Sequence, residues 1–187
     1  SAVFFQDMFG MLTFGEDLAH FFAVRPRIGR NQVIHCLDAY QHQRQLQDVK
    51  YGGSISATIS SFMRRTALIP FVSDFLFADP PGVMKELSLL NSSHDVFVVL
   101  IDAAFAFELP STSAGWIDTF DVETGRSRIM SRAAMARMAD RVRGWQDGVA
   151  QAAKDADIDL VKVGVDHTTS DVALAEFVAE RRLRKVA

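Results

Sequence analysis

An α/β protein with a mostly parallel sheet is what this sequence predicts, and three features carry the prediction. Ala67–Leu76 (ALIPFVSDFL) and Asp95–Ile101 (DVFVVLI) are short apolar runs without the alternation of a half-exposed strand. They read as parallel strands buried on both faces. Between them Pro81-Gly82 opens a helical pattern that lasts to about Leu90, and Asn91–His94 closes it. Strand, helix and strand with short links imply a right-handed parallel crossover. Pro70 fits a central strand badly, because it brings no ladder donor, and points to a bulge or an edge position.

Composition sets the outer limits. The chain has 187 residues, of which 49% are hydrophobic and 23% charged, enough apolar material for a full core. That length suits a single domain, taken here as residues 1–187. A formal net charge of −3 gives no electrostatic reason to expect nucleic acid. The basic tail Arg181-Arg182-Leu183-Arg184-Lys185 reads as a solvated helix end, favoured there by the helix dipole. Cys36 is the only cysteine, which excludes an intramolecular disulfide and a cysteine-based zinc site. The apolar runs are too short to span a bilayer and none is ordered as a secretory signal, so a cytoplasmic setting is expected. The apolar opening Ala2-Val3-Phe4-Phe5 has no capped beginning and reads as a sequence entered part-way through a larger unit.

The remaining elements follow in chain order. Phe9–Phe14 carries β-formers and ends at the turn signal Gly15-Glu16-Asp17, with Leu18–Val24 as a second strand and hairpin partner. Arg25–Arg30 (RPRIGR) is expected to be a loop. Asn31 then caps a helix to about Gln43, whose apolar face is Val33, Ile34, Leu37 and Tyr40. His35 and His42 lie on one side of that helix without an acidic or cysteine partner at ligand spacing, which favours surface or cap roles over metal binding. Gly52-Gly53-Ser54 leads into a second amphipathic helix with Ile55, Ile59, Phe62 and Met63.

Beyond the second strand, Ile117–Val122 alternates and Glu123-Thr124-Gly125 turns, the pattern of a β-hairpin. Asp118, Asp121 and Glu123 lack the spacing of an EF-hand loop, so they read as solvent-facing hairpin residues rather than calcium ligands. Ser131 caps a long helix, Arg132–Ala156, with Met135, Met138, Val142, Trp145 and Val149 as its apolar stripe. Such a stripe is core rather than a cofactor box. Asp159–Val165 is the last strand, and Asp171–Lys185 the last helix.

Candidate chemistry gathers at strand ends and at one helix start. Ligands in open α/β sheets collect outside the carboxyl ends of strands. Asp74 and Asp102 each follow an apolar strand, and two neighbouring rim carboxylates call for a counter-ion. Capping the next turn is the commoner role of such an aspartate. Gly52-Gly53-Ser54 can present backbone N–H groups and a hydroxyl to an anion or a metal, and can equally be an ordinary N-cap.

Taken together, FGMLTFG (Phe9–Gly15), RPRIGR (Arg25–Arg30), GGSISATI (Gly52–Ile59), VSDFL (Val72–Leu76), HDVFVVLIDAAFAFELP (His94–Pro110) and DVETG (Asp121–Gly125) occur in an order that resembles the bacterial domain of unknown function 58. The closing strand, Thr/Ser-Asp link and helix with a basic end are similar too, so the likeness covers nearly the whole chain. That family is related to von Willebrand factor type A domains. The resemblance therefore implies a doubly wound, mostly parallel sheet with a β-hairpin insertion and a metal-ion-dependent adhesion site. It implies that Asp74 is the aspartate after the family's fourth strand and that Ser54 stands where threonine is usual, the two forming the metal pair for magnesium.

Three departures qualify the likeness. Ile55 stands where an aspartate commonly follows, and Phe105 where the family often carries an acid. The Asp-x-Ser-x-Ser loop that follows the first, central strand is absent, which implies a domain partial at its N-terminus. With Asp74 and Ser54 alone, tight magnesium binding is not expected. A missing central strand also leaves an open sheet edge, closed either by Phe9–Phe14 pairing with another strand or by a homodimer.

The resemblance thus implies a non-enzymatic protein-interaction module, with a degenerate adhesion site and a MoxR-type AAA ATPase as partner. A competing expectation is a magnesium-dependent enzyme that holds a phosphorylated small molecule at the Gly52–Ser54 helix start. It lacks a P-loop, a Gly-x-Gly-x-x-Gly pattern, a nucleophile elbow and a general base near either strand end.

Overall fold

The computed structural model describes residues 7–15, 18–63, 65–107, 115–120, 125–164 and 167–186. The apolar opening, the turn residues Glu16 and Asp17, Glu108–Pro110, Asp121–Thr124 and Val165 lie outside them. The chain forms two compact units that divide between Ala67 and Leu68, where its composition shows no linker.

In the first unit, Met8–Phe14 (β1) pairs antiparallel with Phe21–Ile28 (β2), and β2 pairs with Gln47–Val49 (β3). The expected hairpin is present, but Arg25–Ile28 is strand rather than loop. Pro26 is accommodated by a register irregularity between Phe9 and Met11. Gly10 makes this possible, since a Cβ there would lie 2.8 Å from the Pro26 ring.

Arg30–His42 (α1) begins at Gly29, which caps it without a side chain, so Asn31 is inside the helix. The helix is also turned opposite to expectation. Gln32, Cys36 and Ala39 face inward, while Ile34, Leu37 and Tyr40 are exposed. Cys36 and Ala39 are small enough to cluster with Val24, and the Gln32 amide donates to Arg25 O at 2.9 Å. Ile55–Phe62 (α2) follows, with Ile55 and Ile59 buried as the spacing predicts.

The second unit is built on a parallel sheet in the order β4-β5-β8, made of Leu68–Ser73 (β4), Asp95–Ile101 (β5) and Leu160–Val163 (β8). Pro80–Asn91 (α3) joins the first two. Its N-cap Asp79 accepts from Gly82 N at 3.0 Å, and Pro80 and Pro81 occupy the first helical positions. Trp116–Phe120 (β6) and Ser127–Ser131 (β7) form an antiparallel hairpin. Arg132–Asp155 (α4) starts at the Ser131 cap, and His167–Val186 (α5) closes the chain.

The central strand β5 is buried from Val96 to Leu100, each such side chain contributing about 1.5–3 kcal/mol relative to exposure. Phe97 and Val99 pack with Val161 against Leu174, Phe177 and Val178 of α5. Val96, Val98 and Leu100 are buried on the opposite face, where α3 packs against β5. Strand β4 is a correction to the sequence reading. It lies at the sheet edge, which suits Pro70, and Leu68 and Val72 are about half exposed.

At the amino ends of the parallel strands, Arg181 of α5 ties the layers together. It is 6% exposed and lies against Asp95, which opens β5, and Asp159, which precedes β8. Its Nε donates to Asp95 Oδ1 at 2.9 Å, its Nη2 donates to Val96 O at 2.8 Å, and its guanidinium stands 5.5 Å from the Phe97 ring. Arg181 thus belongs to a buried charge cluster, whereas the sequence suggested a solvated helix end.

Candidate functional site

The carboxyl ends of all three parallel strands form one rim. Strand β4 ends at Ser73-Asp74, and the chain turns sharply there. Phe75 N donates to Ser73 Oγ at 3.0 Å, and Leu76 N donates to Asp74 Oδ1 at 3.1 Å. The Asp74 carboxylate therefore makes the turn-capping bond that its position predicts.

Phe75 adopts φ 58°, a left-handed conformation unusual for a bulky residue. Its ring is fully buried beside Phe71 and Phe77, and its carbonyl accepts from Trp145 Nε1 at 2.7 Å. Such backbone strain, on the order of 1–3 kcal/mol, persists only where the surroundings over-determine it.

Asp102 ends β5 in the same way, its Oδ1 accepting from Ala104 N at 3.0 Å while its backbone N–H donates to Val163 O at 2.8 Å. Its other oxygen, Oδ2, is 3.2 Å from Lys162 Nζ. Ser170 covers the third strand end, exchanging 3.0 Å hydrogen bonds with the Gly164 backbone. Asp74 and Asp102 thus share the rim, as their positions after neighbouring strands predict.

Beneath them lies a residue that the sequence reading missed. Gln146 of α4 is 1% exposed, and its Nε2 donates to Ile101 O at 2.7 Å and to Asp74 O at 3.4 Å. Its Oε1 has no hydrogen-bond partner among the described residues. A buried, unserved acceptor is rare in folded proteins and points to a water, ion or ligand donor. The signal was present in the sequence. Gln146 stands four residues after Val142 and three before Val149, a polar residue on an otherwise apolar stripe. The expected stripe used Trp145 instead, a residue 42% exposed.

Ser54 belongs to the first unit and Asp74 to the second. Ser54 is the N-cap of α2: its Oγ accepts from Ala57 N at 3.2 Å and shares a 3.1 Å hydrogen bond with Ser56 Oγ. Gly52 N donates to Thr58 Oγ1 at 2.9 Å, so the start of this helix is largely occupied by its own partners. Magnesium takes near-octahedral oxygen coordination, and two protein donors would leave most of its positions to water. Among the described residues no group of three or more His, Cys, Asp and Glu could hold a metal.

Cys36, the only thiol, is buried, and desolvation pushes its pKa up, the reverse of what a nucleophile needs. His42 Nδ1 lies 3.1 Å from Asp38 in the last turn of α1, a surface pairing, and His94 stands at the amino end of β5, away from the rim. Phe105 is about half exposed just past Asp102.

The fold is thus that of a mixed α/β protein with a parallel sheet and helices, and its strand ends carry carboxylates over an unserved acceptor. No family model, curated protein or solved structure matches this chain.

Proposed function

We propose that the chain is a protein-interaction module of the von Willebrand factor A kind, resembling domain of unknown function 58, without catalytic activity of its own. The observation that carries this reading is the unserved Gln146 Oε1 beneath two rim carboxylates, at the sheet end where α/β folds bind ligands. The strained Phe75 backbone beside Asp74 adds support, since strain of this sort clusters at functional sites. Asp74 is the remnant of a metal-ion-dependent site in this reading, and magnesium is held there weakly, chiefly through water. A MoxR-type AAA ATPase in the cytoplasm is the partner that the resemblance implies. The β4 edge of the parallel sheet, which has no further strand among the described residues, offers a second route to association, by pairing with another copy. Among the described residues no helix is long and apolar enough to cross a membrane.

Isothermal titration with magnesium and manganese tests the metal half of the proposal. Weak heat at millimolar metal is expected from the wild type and none from Asp74→Asn. Absence of heat from both proteins leaves only a metal-free interaction surface. The enzyme reading gains little from the α2 start, where Ser54 Oγ and the Gly52 and Ala57 N–H groups are already paired; stabilisation by a nucleotide or phosphosugar that Asp74→Asn abolishes would restore it.

A further inference from the structure

We propose that the exposed face of the β6–β7 hairpin docks an extended, apolar segment of a partner protein that carries a lysine or arginine at its centre. Strand alternation puts Ile117 and Thr119 on one, half-buried face and Trp116, Asp118 and Phe120 on the other. The register sets Ile129 opposite Asp118, and therefore diagonal to both aromatic residues. Trp116, Phe120 and Ile129 are 71%, 65% and 72% exposed, an apolar triangle in open solvent. The hairpin is its own sheet, with no third strand among the described residues, and two strands alone are marginal in water. A covering partner supplies what such a face lacks, and aromatic side chains are the usual anchors of protein interfaces.

Charge selects the occupant. Asp118 sits in the middle of the triangle, and among the described residues its carboxylate has no hydrogen bond or ion pair. Insertion into an anionic membrane would carry that carboxylate among like charges. Stacking two copies of the face would set Asp118 near its own image, again a like-charge contact. A segment with a cation between apolar side chains meets both demands, and an extended one matches the two-residue period of the hairpin. This surface is independent of the metal reading, so its test is run in EDTA.

The test is a fluorescence-anisotropy titration with two labelled peptides of Phe, Thr and Val that differ only in a central Lys or Glu. The wild type is expected to bind the Lys peptide about tenfold tighter than the Glu peptide. Asp118→Lys should invert that preference. Phe120→Ser combined with Ile129→Ser should abolish binding with an unchanged circular-dichroism spectrum, because both side chains are already in water. If that pair misfolds, Trp116→Ser and the charge inversion carry the test. Equal affinity for the two peptides, no saturable binding, or indifference to the variants overturns the proposal. So does a hairpin-dependent dimer seen by light scattering, or sedimentation with phosphatidylserine vesicles.

Discussion

The two ends of β5 solve the same problem in opposite ways. Each end carries an aspartate, Asp95 where the strand opens and Asp102 just after it closes. At the amino end, a single buried arginine gathers Asp95, Asp159 and the Val96 carbonyl. At the carboxyl end, Asp102 leans on a half-exposed lysine, Asp74 caps a strained turn, and the buried Gln146 leaves one oxygen unserved. The first end is closed around its charges and holds α5 to the sheet. The second is polar, strained and incompletely paired, as the proposed interaction surface requires. A charge cluster is thus evidence of function only where it is left unfinished.

The largest expected effect is at the closed end. Arg181→Ala takes the buried cation away from Asp95 and Asp159, whose side chains are 24% and 37% exposed, and a loss of about 3 kcal/mol is expected in urea denaturation. Asp95→Asn with Asp159→Asn, added to that variant, should recover part of the loss by removing the stranded charges. A loss under about 1 kcal/mol for Arg181→Ala would reduce the cluster to a surface pairing and break the contrast.

Gln146→Leu is the intermediate case. It removes the donor to Ile101 O and Asp74 O from a buried position, so a loss of about 1–3 kcal/mol is expected by the same measurement. A neutral or stabilising outcome would mean that the carbonyls find other donors and that the buried amide serves no purpose at the rim.

How much of this was legible in the sequence depends on which forces act locally. Asp95–Ile101 could be bounded to the residue, because an unbroken apolar run in a parallel sheet has few alternatives. The Ser131 cap and the hairpin were equally readable from local turn and capping chemistry. The orientation of α1 was not. Ile34, Leu37 and Tyr40 outweigh Cys36 and Ala39 in hydrophobicity, yet close approach to Val24 favours the small side chains. Asp74 and Asp102 were legible as rim residues from strand order alone. Their partners, Gln146 for Asp74 and Lys162 for Asp102, lie 60 or more residues away in the chain, and no local pattern encodes that meeting. The pairing of Ser54 with Asp74 came from family likeness, and the structure gives each its own local role, as an N-cap and as a turn cap.

The smallest effect separates a site from a scaffold most cleanly. Asp102→Asn keeps an oxygen for Ala104 N and removes only the charge facing Lys162, with the two side chains 30% and 40% exposed. Solvent screens such a pair, so a loss of about 0.2–1 kcal/mol is expected, and it should fade in molar salt. The same substitution with Lys162→Met completes a double-mutant cycle, whose coupling term should fall in that range. A coupling above about 2 kcal/mol would show the carboxyl rim to be a rigid charge network like the one around Arg181. Strand ends built alike would then argue that both serve the fold, and the reading of the rim as a ligand surface would lose its footing.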